Sequence, residues 1–215
     1  MYNTQVSLDH YDFLKYCSEG RWCSYYKQVE EIINSRAKSV LLIGIGDGIV
    51  SNIISKICGD IEVTTFDFSY ELKPDIYGDI RELSSHLERK YDTIVCCQVL
   101  EHLPFEEFDK VLSQIRMCLK DNGKLILSLP DSGAQIKLLL DIPRFPDIKF
   151  LCKIPKIWHK KFNFDGEHYW EINSTWMYSV TKIRKVINEY FVVENEYLVN
   201  NNSYHRFYIG TPLST

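Results

Sequence analysis

Residues 44–48, GIGDG, have the composition and position of a backbone turn that binds a ligand, and we call them the glycine loop. They follow a continuous apolar run at residues 39–44 (SVLLIG), typical of a strand buried on both faces, and precede a helix-like stretch. The chain must turn tightly here while its backbone approaches a ligand, and a Cβ would obstruct both. The following helix start also offers unpaired N–H groups. The alternative is an ordinary glycine-rich turn from strand to helix.

Two aspartates further along the chain have positions suited to binding a nucleoside. Asp67 ends the next predicted strand, 23 residues after Gly44. In doubly wound α/β folds an acid at this place accepts hydrogen bonds from ribose hydroxyls, although a turn or capping aspartate is the alternative. Asp79 begins the next helix-like segment and either caps it or accepts a hydrogen bond from an adenine amino group. Together with the glycine loop, these acids indicate a nucleotide-type cofactor.

The position of the third glycine separates two classes of cofactor. A dinucleotide fingerprint, GxGxxG, would need glycine at position 49, where this chain has Ile49. The GxGxG form lacks the arrangement that cradles a pyrophosphate and suits a ligand without phosphates. A nicotinamide-dependent oxidoreductase is therefore the second interpretation, behind an enzyme that binds a phosphate-free adenosyl ligand.

Two histidines with carboxylate neighbours are candidate catalytic residues. His102 ends the sequence QVLEH at the exit of a predicted strand, and Glu101 precedes it. His168 lies in EHYWE, further along the chain. Transfer of a group to a hydroxyl requires removal of the hydroxyl proton, and an imidazole beside a carboxylate is a suitable general base. The alternative for each histidine is a surface or capping role.

The elements that must position these residues alternate between strand and helix. Strands are predicted at residues 39–44, 61–66, 91–99 and 124–129, and helices at 49–58, 80–89 and 105–119. Residues 121–123 (DNG) predict a turn into the last of these strands. A helix at 179–190 and a hairpin of strands at 191–199 and 204–209 follow. The alternation predicts right-handed crossovers and a parallel sheet covered by helices.

These ordered motifs resemble the class I (Rossmann-like) S-adenosylmethionine-dependent methyltransferases. VLLIGIGDG is similar to the family's glycine loop, VTTFDFS to its ribose-binding segment, YGDI to its adenine-contacting segment, and YDTIVCCQVLEHL and NGKLILSLP to its fourth and fifth strands. The resemblance implies a three-layer α/β/α sandwich with a mostly parallel seven-stranded sheet and one antiparallel strand near the C-terminus. It implies S-adenosyl-L-methionine as cofactor, with contacts from Gly44, Gly46, Asp47, Gly48, Asp67, Phe68, Asp79, Ile80 and Gln98.

The activity implied is methyl transfer to a small molecule or sugar, with oxygen as the preferred acceptor atom and nitrogen next. His102, His168 and Glu101 are the candidate catalytic residues. One departure concerns the acid that family members usually carry two residues before the first glycine, which is Leu42 here. That departure is the one hint of a further alternative, a methyltransferase-like binding module without catalysis.

A metal-dependent site is a second alternative. Metal-dependent small-RNA 2'-O-methyltransferases have an ExxEH motif in this loop and a later stretch resembling DHxFEW, and ubiquinone-biosynthesis O-methyltransferases have a similar ExxEH. By that resemblance Glu101, His102 and His168 would be ligands of a divalent ion. Gln98 replaces the first acid of the motif, so a site without metal is the main prediction.

Two segments are predicted to cover the site. Residues 1–37 form a helical N-terminal cover containing Tyr11, Trp22, Tyr25 and Tyr26. Residues 134–170 form a cap insertion before the C-terminal hairpin. Between positions 137 and 161 the insertion carries seven Lys or Arg against two Asp, with aromatic residues interleaved at 145, 150 and 158. This pattern indicates an anionic or lipid-linked acceptor or contact with a membrane surface. The alternative is that the insertion is a solvated cap.

Composition limits the remaining classes. The 215 residues suit one domain, and a net charge of -4 with a pI near 5.9 argues against a basic nucleic-acid binder. The seven cysteines are scattered without a CxxC pair, as in a reduced cytoplasmic protein. Charged residues interrupt the opening segment, so no signal peptide is expected, and no apolar run reaches the ~18 residues of a membrane span. The sequence does not indicate an oligomeric state.

Overall fold

The structure, a computed structural model, describes residues 8–140, 142, 143, 148–156 and 161–213, with the backbone alone at 8, 139, 148 and 149. Its strands, in chain order, are β1 (Ser39–Ile43), β2 (Glu62–Asp67), β3 (Ile76–Tyr77), β4 (Tyr91–Cys97), β5 (Leu119–Pro130), β6 (Ala134–Leu140), β7 (Ile148–Ile154), β8 (Phe191–Val199) and β9 (Asn202–Pro212). Its helices are α1 (Phe13–Tyr16), α2 (Glu19–Asn34), α3 (Ile49–Ile57), α4 (Leu83–His86), α5 (Phe108–Cys118) and α6 (Val180–Ile187).

Seven strands form one sheet in the order β3-β2-β1-β4-β5-β9-β8. The strands from β3 to β5 pair in parallel, whereas β9 runs antiparallel to both of its neighbours, β5 and β8. The predicted sheet with one antiparallel strand near the C-terminus is therefore confirmed. Strands β6 and β7 form a separate antiparallel ribbon within the insertion.

The sheet is buried on both faces because helices cover it from either side. In β1 the side chains alternate, so that Leu41 and Ile43 contact the core beneath α4, α5 and α6. Val40 and Leu42 contact the core beneath α2 and α3. This double burial explains why β1 reads as an unbroken apolar run and confirms the three-layer sandwich. No helix among the described residues is long and apolar enough to cross a bilayer.

Two predicted local elements differ from the structure. The helix expected at 80–89 is shorter, with a 3-10 turn at Ile80–Glu82 followed by α4, which ends at His86. Beyond its end the Arg89 guanidinium binds the Glu62 carboxylate on β2 at 2.6 and 2.8 Å. The turn expected at 121–123 lies inside β5 as a bulge, since residues 120–123 fall between two consecutive pairings of β5 with β4.

A buried ion pair ties the end of β5 to β9 and to the chain after the insertion. Asp131 is fully buried and accepts hydrogen bonds from Arg206 Nε at 2.8 Å and from Asn173 Nδ2 at 3.0 Å. Arg206 also binds Glu196 on β8 at 2.7 Å. Because a buried carboxylate is stable only when compensated, this network fixes how the segment around Asn173 rests on the sheet.

Loss of the Arg206 cation should therefore destabilise the fold. We expect Arg206→Met to lower the free energy of unfolding by about 3–5 kcal/mol, because the Asp131 charge stays buried without a cation. The matched control is Arg184→Met, since Arg184 pairs with the same Glu196 but its side chain is 47% exposed. That variant should change stability by less than about 1 kcal/mol. Urea denaturation measures both, and equal losses would contradict this account.

Candidate active site

A cavity of about 480 Å³ opens at the carboxyl ends of β1, β2 and β4, where the strand order reverses. Its size is typical of sites for small molecules and cofactors. Three parts of the chain line it: the loops after these strands, the N-terminal segment before α2, and the segments around residues 165–168 and 204–205. In doubly wound sheets, ligands bind at this switch point.

The glycine loop shapes one wall of the cavity. Its glycines have positive φ angles of 78°, 58° and 73° at Gly44, Gly46 and Gly48. A Cβ on Gly44 would lie 2.4 Å from Val99 Cγ2, which no side chain tolerates. A Cβ on Gly46 would point toward Tyr11 and Tyr16, at 3.8 and 3.9 Å. Gly44 and Gly46 line the cavity, so the backbone there is open to a ligand as the sequence predicts.

Asp67 lies beside this loop at the end of β2 and is 7% exposed. One carboxylate oxygen accepts the Ile45 N–H at 2.9 Å and the other accepts the Ser69 N–H at 2.8 Å. Burial raises the pKa of the carboxyl group above its usual value, against the effect of these hydrogen bonds. Each oxygen retains acceptor capacity, so Asp67 can hold both loops and still bind a hydroxyl in the cavity.

Phe68, Asp79 and Ile80 also line the cavity, on the side away from β4. Asp79 caps the 3-10 turn by accepting the Arg81 N–H at 2.9 Å. It also pairs with the Arg81 guanidinium, and these side-chain hydrogen bonds lower the pKa of Asp79. The capping role is therefore present, and the adenine contact stays a prediction.

Two residues of the predicted cofactor set face elsewhere. Asp47 accepts the Tyr25 hydroxyl at 2.5 Å and the Ile49 N–H at 3.1 Å, so it joins α2 to the start of α3. Gly48 is the N-cap of α3. Neither belongs to the described lining of the cavity. Gln98 does line it, with φ of 56° and its side-chain amide donating to Ser128 Oγ at 3.2 Å.

The N-terminal segment contributes residues that sequence reasoning did not identify. His10, Tyr16 and Arg21 line the cavity together with the predicted Tyr11. The three rings of His10, Tyr11 and Tyr16 contact each other edge to face, with centroids 4.9–5.2 Å apart. The Arg21 guanidinium lies 3.8 Å from the Tyr16 ring centroid. The aromatic density around positions 10–16 was the available signal.

The other predicted aromatic residues of the N-terminal cover lie outside the described lining. All three belong to α2, where Tyr25 is buried and Trp22 and Tyr26 are 49% and 60% exposed.

Glu101, His102 and His168, the candidate catalytic residues, meet at the opposite end of the cavity. Glu101 follows β4 in a 3-10 turn and is fully buried, and neither carboxylate oxygen has a hydrogen-bond partner among the described residues. Burial raises the pKa of Glu101 to about 7. His102 Nδ1 donates to the Glu167 carbonyl at 2.9 Å, and burial lowers the pKa of His102. One carboxylate oxygen and one nitrogen of each ring lie within 4.8 Å of one another.

His168 belongs to a polar chain that includes two residues not singled out from the sequence. Its Nδ1 lies 2.9 Å from Glu171 Oε1, which also accepts the Tyr204 hydroxyl. Burial disfavours the charged imidazole, but the hydrogen bond to Glu171 and the charges of Glu101 and Glu171 outweigh it and raise the pKa of His168. The spacing in EHYWE could have suggested Glu171, whereas nothing local marks Tyr204.

The segment carrying His168 is held by its aromatic neighbours. Trp170 is fully buried and its indole N–H donates to the Leu103 carbonyl at 3.1 Å. The Tyr169 N–H donates to the Glu101 carbonyl at 2.8 Å. These contacts fix His168 against the loop after β4, and the two imidazole rings of His102 and His168 meet edge to face with centroids 4.9 Å apart.

The cap insertion contributes to the cavity through its last part. Asp165, Glu167 and His168 are lining residues, whereas no described residue of β6 or β7 is. The aromatic positions 145 and 158 of the expected cap, and its basic positions 144 and 160, lie outside the described residues.

The buried Glu101 carboxyl should make stability depend on pH. The pKa of this carboxyl group is about 7 in the folded protein, against an ordinary value of 4.5. Between these two pH values the folded protein holds a proton that the unfolded chain has lost. Its stabilising contribution is therefore present at low pH and lost as the pH rises through that window. The free energy of unfolding of Glu101→Gln, relative to that of wild type, should be higher at pH 8 than at pH 5 by on the order of 2 kcal/mol.

Urea unfolding of both proteins at the two pH values measures this difference. Glu106→Gln is the control, because Glu106 is an exposed residue of the next turn. A pH-independent difference between Glu101→Gln and wild type would show that the carboxyl is not buried as described.

Comparison with known proteins agrees with this architecture. A sequence model of the family described as "Methyltransferase domain" matches residues 10–181. No curated protein sequence matches the chain significantly.

Solved structures share the fold at low identity. The N-methyltransferase NodS from Bradyrhizobium japonicum WM9, in complex with S-adenosylhomocysteine, superposes with a TM-score of 0.63 at 11% identity over 98% of this chain and 95% of its own. The glycopeptide N-methyltransferase MtfA, complexed with the same compound, gives 0.59 at 13% identity over 89% of each chain. An S-adenosylmethionine-dependent methyltransferase from Clostridium acetobutylicum gives 0.58 at 11% identity, over 94% of this chain and 95% of that one. The chain belongs to the class I S-adenosylmethionine-dependent methyltransferases.

Proposed function

We propose that this methyltransferase acts on a hydroxyl group of a small molecule or sugar, with His168 as the general base. The observation that supports this proposal is the hydrogen-bonded set of His168, Glu171 and Tyr204 at the cavity, beside the exit of β4. A base oriented by a carboxylate is the arrangement that removal of a hydroxyl proton requires.

The other end of the cavity would hold the cofactor. The Gly44 and Gly46 backbone, where a Cβ would narrow the space, and the Asp67 carboxylate fit an adenosyl group without phosphates. Phe68 and Ile80 would flank the adenine, and Gln98 would lie between cofactor and acceptor. When bound, S-adenosylmethionine supplies an activated methyl group on a sulfonium.

The protein's own residues have the following roles in this proposal. Glu171 accepts from Nδ1–H of His168 and so leaves Nε2 as the nitrogen without a proton in the neutral ring. As His168 takes up a proton, the hydrogen-bonded Glu171 carboxylate stabilises the resulting cation. The aromatic cluster of His10, Tyr11 and Tyr16 would limit access of water from the N-terminal side.

An amine is the second candidate acceptor. The acceptor end of the cavity carries the carboxylates of Glu101, Asp165 and Glu167, which would attract an ammonium group. Two of the structural relatives are N-methyltransferases. In that case the same base would remove the proton of the ammonium group before transfer.

The cofactor assignment predicts a specific loss of affinity. We expect Asp67→Asn to weaken binding of S-adenosylhomocysteine at least about tenfold, because a hydrogen bond to a charged group is worth roughly 1.5–3 kcal/mol. Isothermal calorimetry measures it, and NAD should not bind. The matched control is Asp75→Asn, since Asp75 also accepts a backbone N–H next to β2, at 2.8 Å from Thr65, but is not among the cavity-lining residues described. Equal affinities for both variants, or binding of NAD, would contradict the assignment.

The base assignment predicts a shift in the pH profile. Activity should rise with pH as His168 loses its proton, at a pH above the ordinary histidine value because its pKa is raised. Glu171→Gln removes the carboxylate that raises this pKa, so the rising limb should move to lower pH. The plateau kcat should fall roughly 10- to 100-fold because the ring is less well oriented.

Methyl transfer to hydroxyl and amine libraries at several pH values measures this effect, with Glu106→Gln as control. The assay is run with and without EDTA. If EDTA abolishes activity and added Mg²⁺ or Mn²⁺ restores it, the result would favour Glu101, His102 and His168 as metal ligands. Cofactor binding without any methylated product would favour a binding module. An unshifted pH profile in Glu171→Gln would exclude His168 as the base.

A further inference from the structure

The ribbon formed by β6 and β7 has two chemically different faces. In its antiparallel register Ile136 pairs with Cys152 and Leu138 with Phe150. Because side chains alternate along a strand, Ile136, Leu138 and Phe150 lie on one face. Leu140 and Ile154, at the same alternation, extend this face in both directions. We call it the outer face of the ribbon.

The opposite, inner face attaches the ribbon to the body of the protein through polar side chains. Gln135 accepts the Ser203 hydroxyl, and Lys137 Nζ donates to the Asn200 carbonyl at 3.3 Å. Lys153 Nζ donates to the Asp131 carbonyl at 2.8 Å. The ribbon thus turns its polar face inward and its apolar face outward, the reverse of the usual arrangement for a two-sided sheet.

The outer face is open to solvent among the described residues. Exposure reaches 51% for Ile136, 51% for Leu138, 43% for Leu140, 55% for Phe150 and 40% for Ile154. Scattered apolar residues on a surface need no explanation, but these are direct neighbours in the ribbon and form one patch. A patch of this kind marks a surface that contacts another apolar phase or partner.

The charge of the segment selects the partner. Residues 137–161 carry seven Lys or Arg against two Asp, a net charge of +5, in a chain whose net charge is -4. Two copies joined through their outer faces would bring two such positive segments together, which electrostatics disfavours. An anionic lipid surface attracts basic residues and accepts apolar side chains at the boundary between headgroups and acyl chains.

We propose that the outer face of the β6–β7 ribbon docks this methyltransferase on an anionic lipid bilayer. The apolar side chains around Leu138 and Phe150 enter the interfacial layer, and the net positive charge of residues 137–161 attracts the anionic headgroups. The acidic remainder of the molecule stays in water. The docking surface is distinct from the cavity, since no described residue of the ribbon lines the cavity.

Co-sedimentation of the full chain with vesicles tests the proposal. The vesicles are phosphatidylcholine alone or phosphatidylcholine with roughly a third phosphatidylglycerol. We expect binding to the anionic vesicles that falls with added salt, and little binding to the neutral ones. The double variant Leu138→Ser, Phe150→Ser should reduce the partition coefficient at least about tenfold, because two buried apolar side chains are lost from the interface.

Val192→Ser is the matched control, because Val192 is a half-exposed strand residue of β8, outside the ribbon. Binding of S-adenosylhomocysteine and the urea midpoint show that each variant is folded. Wild type that does not bind anionic vesicles, or a double variant that binds them as well as the control, overturns the proposal. Light scattering that shows a wild-type dimer lost in the double variant also overturns it, since the outer face would then contact a second copy.

Discussion

A buried carboxylate at the end of β2 holds the two loops that form one end of the cavity. Asp67 accepts a backbone N–H from each loop, at Ile45 and at Ser69, and so fixes the glycine loop relative to the end of its neighbouring strand. The glycine loop can lie this close because Gly44 has no Cβ to meet Val99. One side chain therefore both shapes the cavity and presents an acceptor to it, and displacement of Asp67 would disturb both.

At the opposite end of the cavity, a distant segment is fastened to the loop after β4. Trp170 and Tyr169 form backbone-directed hydrogen bonds to Leu103 and Glu101, and these place His168 opposite His102. The arrangement concentrates ionisable groups in a buried space, so their proton affinities depend on one another. Burial raises the pKa of Glu101 to about 7, and the hydrogen bond from His168 to Glu171 raises the pKa of His168. Both pKa values are thus raised, and perturbed pKa values of this kind are typical of sites that move protons.

The insertion has two parts with different positions. Its last residues, from Asp165 to His168, complete the cavity, whereas its ribbon projects an apolar face away from it. The Asp131–Arg206 pair stands at the junction, because Lys153 of the ribbon and Asn173 of the returning chain both bind Asp131. A polar junction of this kind can hold the ribbon and the segment that carries His168 in fixed relation.

The sequence by itself determined the alternation of β1, β2, β4 and β5 with helices, the doubly buried strand before the glycine loop, and the place of Asp67 and Glu101 after strands. These features follow from local periodicity and from backbone sterics, which are written in consecutive residues. The sequence did not predict the short β3 or the β6–β7 ribbon. It did not determine that Asp47 turns away to Tyr25, that Tyr204 joins Glu171 and His168, or that the ribbon exposes its apolar face. Asp47 and Tyr25 are 22 positions apart, and Tyr204 and His168 are 36 positions apart. Such contacts depend on packing between distant segments, which no local pattern encodes, and only the tertiary structure decides them.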